Sequence, residues 1–281
     1  MEKLRKALEK EKQERMDEKG AEPGKEAPTS VAAEDKLKRL SPVYWQSQSC
    51  KLDPGTLADN RCVCISSDAS EVEFYKMLRT QVLQRTSLNG WNTIMITSAL
   101  PGEGKTLTAV NLALTFTKDL NHTVLLVDCD LRQQDVHKVL GVDSERGLID
   151  ALMDNRPLQE LIIWPGIEKL TLISGGRIIS DTSEVLSSTK MKALVSEIKS
   201  RYHDRYVFFD VPPVLSVADA TAFAPLVDAT LMVVRADKTS IQDIKKAVDL
   251  IPKEKFLGFV LNRYKAPSKA YYSRAYYGKA S

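Results

Sequence analysis

The chain has 281 residues, a formal net charge of +3 and four cysteines, Cys50, Cys62, Cys64 and Cys129. That length allows one large or two small domains; the near-balanced charge excludes a general nucleic-acid-binding field, and Cys62-x-Cys64 without a second pair lacks zinc spacing and fits reduced thiols. No apolar run approaches the ~20 residues of a membrane span, and the sequence is charged from Glu2 onward without a secretory core, so a soluble, cytoplasmic protein is expected, with any membrane link made through a partner or a surface helix.

In chain order, residues 2–19, EKLRKALEKEKQERMDEK, read as a highly charged helix with glutamate–lysine pairs at helical spacing. Two readings stand for it: a solvated arm, or a docking helix for a partner. Residues 20–35, rich in Pro, Gly, Ala and Ser, read as a linker. Residues 36–67 form a connecting segment in which Tyr44, Trp45, Val63 and Ile65 indicate some packing on the domain. The folded domain is expected over 68–264. Ser67, Asp68 and Ser70 are helix-start residues, followed by the helical pattern Phe74, Met77, Leu78 and Val82.

Residues 92–109, NTIMITSALPGEGKTLTA, carry the strongest signal. A short apolar strand ends at Thr97–Ser98, a Pro-Gly-Glu-Gly turn follows, and Lys105-Thr106 opens a helix running to about Lys118. Strand, glycine-rich turn, Lys-Thr and helix is the layout of a phosphate-binding loop. Gly102 and Gly104 permit backbone angles that let consecutive amides point at one anion, and the helix adds its partial positive end. The cradle is read as Gly102, Glu103, Gly104, Lys105, Thr106 and Leu107, with Lys105 reaching the β- and γ-phosphates and the Thr106 hydroxyl on Mg²⁺. The pattern usually begins with glycine, and here that position is Ala99.

Further strands are expected at Thr123–Val127, Leu170–Gly176, Val207–Phe209, 229–237 and 256–264. Helices are expected at GLIDALMD, at SEVLSSTKMKALVSEIKSRY as one element, and at IQDIKKAVDLI. This alternation predicts an α/β fold: an open, mainly parallel sheet flanked by helices. Active residues in such sheets lie at the carboxyl ends of strands. There stand the phosphate loop, Asp128 and Asp130, and Asp210. Asp210 occupies the place of a Walker-B aspartate, and Asp128 and Asp130 point the same way along an extended chain. Together they supply metal ligands and a proton acceptor. Arg132 either neutralises phosphate charge or pairs with one of these aspartates.

From Lys255 to Ser281 there is no carboxylate, and Tyr271, Tyr272, Tyr276 and Tyr277 sit in a basic, small-residue tail, 265–281. With PGEGKT, LLVDCDLR (125–132), VFFDVPP (207–213) and YYSRAYY, the chain resembles the bacterial tyrosine autokinases of capsule and exopolysaccharide loci over about residues 68–281. The resemblance implies a phosphate-loop NTPase architecture of the MinD/ParA kind. It implies transfer of the γ-phosphate of ATP, with Mg²⁺, to tail tyrosines of a neighbouring copy. Thr106, Asp128 and Asp210 would hold the metal, and Asp130 or Asp128 would act as base. The family's ring-forming Glu-x-x-Arg-x-x-Arg is matched by Glu73, Lys76 and Arg79, with lysine replacing one arginine and losing its bidentate fork. A ring-like homo-oligomer, an octamer in the family, and a separate membrane-spanning polysaccharide chain-length regulator are the implied partners, with the protein peripheral at the inner membrane. Asn262-Arg263 is similar to the place where related ATPases read the purine; a turn cap fits equally. The rivals are a MinD/ParA-type positioning ATPase, whose second loop lysine is missing from SALPGEGK, and a nucleotide-gated scaffold without phosphotransfer.

Overall fold

The computed structural model describes residues 48–50, 52–65, 69, 71–201 and 204–265. The charged segment 2–19, the linker, Tyr44 and Trp45, the helix-start residues Ser67, Asp68 and Ser70, and the tail with its four tyrosines lie outside the described residues.

The strands are β1 (Gln48–Ser49), β2 (Thr93–Ser98), β3 (Thr123–Asp128), β4 (Ile163–Trp164), β5 (Leu170–Ile173), β6 (Arg205–Asp210), β7 (Ala229–Arg235) and β8 (Phe256–Asn262). They form one sheet in the order β1-β4-β5-β3-β6-β2-β7-β8. Only the β4–β5 pair is antiparallel; the other neighbours run parallel. The helices are α1 (Pro54–Asp59), α2 (Val72–Ser87), α3 (Lys105–Phe116), α4 (Val136–Leu140), α5 (Leu148–Asp154), α6 (Leu158–Leu161), α7 (Thr182–Leu186), α8 (Thr189–Arg201), α9 (Asp219–Phe223) and α10 (Ile241–Asp249).

Every residue of β2, β3 and β6 is buried, because helices cover both faces of a parallel sheet. Successive side chains of a strand point to opposite faces, and two cores result. Met95, Leu125, Val127, Val207 and Phe209 face α8, which contributes Met191, Leu194, Val195 and Ile198. Ile94, Ile96, Val124, Leu126 and Phe208 face α3, which contributes Ala109, Val110, Leu112, Ala113 and Phe116. The Phe116 ring meets Tyr206 at 4.8 Å and Phe208 at 5.0 Å between centroids. Burying one such ring stabilises the fold by about 1.5–3 kcal/mol, and Phe116 anchors the C-terminal end of α3 on the sheet.

Two local features differ from the sequence expectation. The helix expected from SEVL to SRY is two helices. Ser188 accepts the Met191 amide at 3.1 Å, the bond of a helix start, so α8 begins afresh after α7. On α2 the inward residues are Val72, Val82 and Thr86, whereas Phe74 and Met77 are 57% and 65% exposed. The expected apolar stripe therefore splits, and Phe74 and Met77 face outward. As the sequence indicates for Val63 and Ile65, part of the segment before Asp68 packs on the body. β1 extends the sheet beside β4, Asp53 caps α1 through the Thr56 amide at 2.8 Å, and the Cys64 amide donates to Asn111 of α3 at 3.0 Å.

Candidate active site

Strand order brings the site together. β3, β6 and β2 are consecutive neighbours, and Asp128 is paired with Asp210, which is paired with Ile96. The two acidic motifs and the phosphate loop therefore leave the sheet side by side at its carboxyl rim. Backbone bonds continue the pairing beyond the strands: Cys129 N–H donates to Asp210 at 2.8 Å, and Val214 N–H to Ser98 at 2.8 Å. The Thr97 hydroxyl donates to the Pro212 carbonyl at 2.6 Å, tying the phosphate-loop strand to the Asp-Val-Pro-Pro turn.

Gly102 and Gly104 have φ of +76° and +92°, the left-handed region in which a side chain is strained. Gly104 is also the N-cap of α3, so the turn delivers Lys105 and Thr106 directly onto the helix's positive end. Lys105 is buried, with Nζ 2.7 Å from Asp130 Oδ2 and 3.3 Å from Asp210 Oδ2. It also donates to the Thr106 hydroxyl at 3.1 Å, and that hydroxyl donates to Asp210 Oδ2 at 2.6 Å. Leu107 is half-buried behind the cradle.

Asp128 is fully buried, and its carboxyl accepts the amides of Asp130 and Val136, each at 3.1 Å. Burial, then the neighbouring Asp210, push the Asp128 carboxyl well above the usual range, against the Val136 amide bond and Lys105. Burial likewise raises Asp210, opposed by Lys105 and the Thr106 hydroxyl. Burial disfavours the charge on Lys105, but Asp210 and Asp130 outweigh it and raise its pKa. The cluster is thus one ammonium among three carboxyls, short of positive charge. Cys129, between the two aspartates, is fully buried; burial and the three surrounding carboxyls push its thiol well above the ordinary value, so it is a packing residue rather than a nucleophile.

Several sequence-predicted residues take places that the sequence did not specify. Arg132 pairs with neither Asp128 nor Asp130: its Nε lies 3.5 Å from Oδ2 of buried Asp219 on α9. The Glu103 side chain turns inward, where it accepts the Leu100 amide at 3.0 Å and the Thr239 hydroxyl. Asn262 donates through Nδ2 to the Glu103 carbonyl at 2.7 Å and accepts the Arg263 amide at 2.8 Å. It caps its turn and touches the phosphate loop, while Arg263 stays exposed. On α2, Lys76 pairs with Glu73 at 2.6 Å on the outer face, but Arg79 reaches inward to the Thr115 carbonyl of α3 at 2.8 Å. Sequence reasoning missed Asp219 and Thr239, which carry no motif and meet their partners only through the fold.

The donor set is hard oxygen: one hydroxyl and three carboxyls around a lysine and a helix N-terminus. Among the described residues no group of three or more His, Cys, Asp or Glu is arranged to hold a metal by itself. The hydroxyl and carboxyl oxygens at the rim are the donor type magnesium takes, one or two carboxylates with phosphate oxygens and water completing its shell. Among the described residues no helix is long and apolar enough to cross a membrane.

Comparison with known proteins places this geometry. A family model for an AAA domain matches residues 91–255. Tyrosine-protein kinase YwqD of Bacillus subtilis is 34% identical over 208 residues, spanning 73% of this chain and 86% of the relative. Of the longer curated relatives the chain spans between 24% and 32%. Among solved structures, the chimerical protein CapA2B2 aligns with a TM-score of 0.67 and 27% identity over 83% of this chain and 99% of that one. The septum site-determining protein MinD of Pyrococcus horikoshii OT3, a complex with Mg-ADP, aligns with a TM-score of 0.53 and 25% identity over 64% of this chain and 75% of that one. A mainly parallel phosphate-loop sheet of this kind, two strand-end aspartate motifs beside the loop and close likeness to YwqD lead to one conclusion: the chain belongs to the bacterial tyrosine-protein kinase family.

Proposed function

We propose that the protein is an ATP- and Mg²⁺-dependent tyrosine autokinase that phosphorylates Tyr271, Tyr272, Tyr276 and Tyr277 of a neighbouring copy. The observation that carries the reading is the convergence of Lys105, Thr106, Asp128, Asp130 and Asp210 at one rim, with Lys105 within 3.4 Å of two carboxyls. Bound Mg²⁺-ATP supplies the transferable phosphoryl group and the positive charge that the three carboxyls lack. Lys105 leaves its carboxyl partners for the β- and γ-phosphates and neutralises charge developing on the transferred group. Thr106, Asp210 and Asp128 hold the metal, directly or through water. A phenol has a pKa near 10, so the incoming tyrosine must lose its proton to a carboxylate; Asp130 or Asp128 takes it.

Burial argues against two of the described tyrosines as targets. Of the described tyrosines, Tyr206 is buried and Tyr75 half-buried, whereas Tyr264, exposed, leads into the tail. The tail's lysines and arginine are attracted to a neighbour's acidic site. Each phosphate then adds about −1.5 to −2 charge, which repels that site and loosens the assembly. The outward pair Glu73–Lys76, beside exposed Phe74 and Met77, belongs to the face through which copies assemble into a ring. In the cell we place the protein in the cytoplasm, held at the inner membrane by a membrane-spanning chain-length regulator. There the cycle of assembly and release governs exopolysaccharide or capsule polymerisation and export. Incubation with Mg²⁺-ATP followed by mass spectrometry tests the reading. Phosphate on tail tyrosines is expected; ATP consumption with an unmodified tail would leave a positioning ATPase instead.

A further inference from the structure

The phosphate loop is fastened to the sheet through Glu103, and this fastening reaches strands that carry none of the acidic motifs. Glu103 is 3% exposed although it stands between two glycines in a surface turn. Its Oε2 accepts the Leu100 amide at 3.0 Å, closing the loop on itself. Its Oε1 accepts the hydroxyl of Thr239 from the loop after β7. The Thr239 hydroxyl oxygen in turn accepts the Arg235 amide at 3.0 Å, so it is held at the end of β7. The Glu103 backbone carbonyl accepts Asn262 Nδ2 from the end of β8 at 2.7 Å. A Cβ on Gly104 would lie 2.2 Å from that same nitrogen, so glycine is what lets Asn262 reach the loop.

Glu103 cannot point its carboxyl at a bound phosphate while making these bonds, and a carboxylate there would repel one. From this geometry we infer that Glu103 is a positioning residue: with Thr239 and Asn262 it fixes the shape of the phosphate loop before nucleotide arrives. Affinity then comes from amides already aimed, without the cost of ordering a glycine-rich segment on binding. The inference rests on the nucleotide reading above for its functional consequence, but the brace itself is a property of the free chain.

Two measurements on the full chain test it. The first is amide hydrogen exchange at Leu100 without nucleotide, and the second is calorimetric titration with Mg²⁺-ADP. Glu103→Ala is expected to speed Leu100 exchange at least ten-fold and to weaken Mg²⁺-ADP at least ten-fold. Glu103→Gln keeps an acceptor oxygen and should recover most of both. Thr239→Val should give part of each loss, and Glu103→Ala/Thr239→Val should be no worse than Glu103→Ala, since both act through one contact. If Glu103→Ala does not fold, Thr239→Val against wild type carries the same comparison. Unchanged Leu100 exchange, or affinity within two-fold of wild type, overturns the inference. A wild-type chain that fails to bind Mg²⁺-ADP while its Leu100 exchange still depends on Glu103 overturns the nucleotide reading and the positioning role, and leaves a purely structural brace.

Discussion

Lys105→Met separates the energetic from the catalytic side of the site. Lys105 is the only cation within hydrogen-bond distance of Asp130 and Asp210 among the described residues. The three side chains are 10%, 4% and 0% exposed respectively. Removing one partner of a buried pair costs about 3–5 kcal/mol. Asp210, whose proton affinity is already raised, can take up a proton, which argues for the lower end. At about 2–4 °C per kcal/mol for a domain of this size, roughly 3 kcal/mol lowers the melting temperature by about 6–12 °C in nucleotide-free protein at pH 7. The folded pKa of Lys105 is raised, so its contribution is fully present below the unfolded value near 10.4 and fades only as pH rises through the folded value. A scan at pH 7 therefore sees the whole effect. Circular dichroism melting measures it, and mass spectrometry after Mg²⁺-ATP shows whether tail phosphate has gone. An unchanged melting temperature would refute the charge account of the site, and retained tail phosphate would refute the role given to Lys105.

Further outcomes follow from other contacts. Gly104→Ala places a side chain at φ +92° and displaces Asn262; a left-handed residue costs about 1–2 kcal/mol, so melting should fall by roughly 2–8 °C, and an unchanged melt would contradict the loop geometry. Asp228 accepts the Asn92 and Thr93 amides, the Thr93 hydroxyl and Lys199. Burial opposes its charge, but Lys199, Thr93 and those amides outweigh it and lower its pKa. Its stabilisation is thus present above the unfolded pKa near 3.9 and lost as pH falls through the lower folded value. Asp228→Asn should cost about 1–3 kcal/mol at pH 7, with urea midpoints of the two proteins converging below about pH 4; a constant gap would exclude that origin. Lys76→Glu reverses the charge opposite Glu73 on the outer face of α2 and should lower the mass in solution by light scattering. An unchanged mass would move the assembly face elsewhere.

The site was legible where chemistry is carried by contiguous residues. An apolar strand ending in aspartate marks a strand buried on both faces with its carboxylate at the rim, and VFFD and LLVD both proved to be that. The glycines of PGEGKT announced their backbone angles. What stayed hidden depends on contacts distant in sequence. Nothing near Arg132 names Asp219 as its partner, and nothing in the loop says that Glu103 turns toward Thr239 rather than toward a ligand. On α2, hydrophobicity alone placed Phe74 and Met77 inside; Tyr75 and Arg79, turned toward α3, are what set the inward face. One missed element did carry a local signal: Asp53-Pro54 is an N-cap followed by proline in the first turn, and α1 begins there.

The central claim is that this rim passes phosphate from ATP to the tail of another copy. A mixing experiment reads it most directly. One chain keeps Lys105 but has phenylalanine at positions 271, 272, 276 and 277; the other carries Lys105→Met with its tyrosines intact. After incubation together with Mg²⁺-ATP, phosphotyrosine should appear on the Lys105→Met chain and on neither chain alone. Should the mixture stay unmodified while wild type alone is phosphorylated, transfer would be confined to a single chain and the account of neighbouring copies would fail.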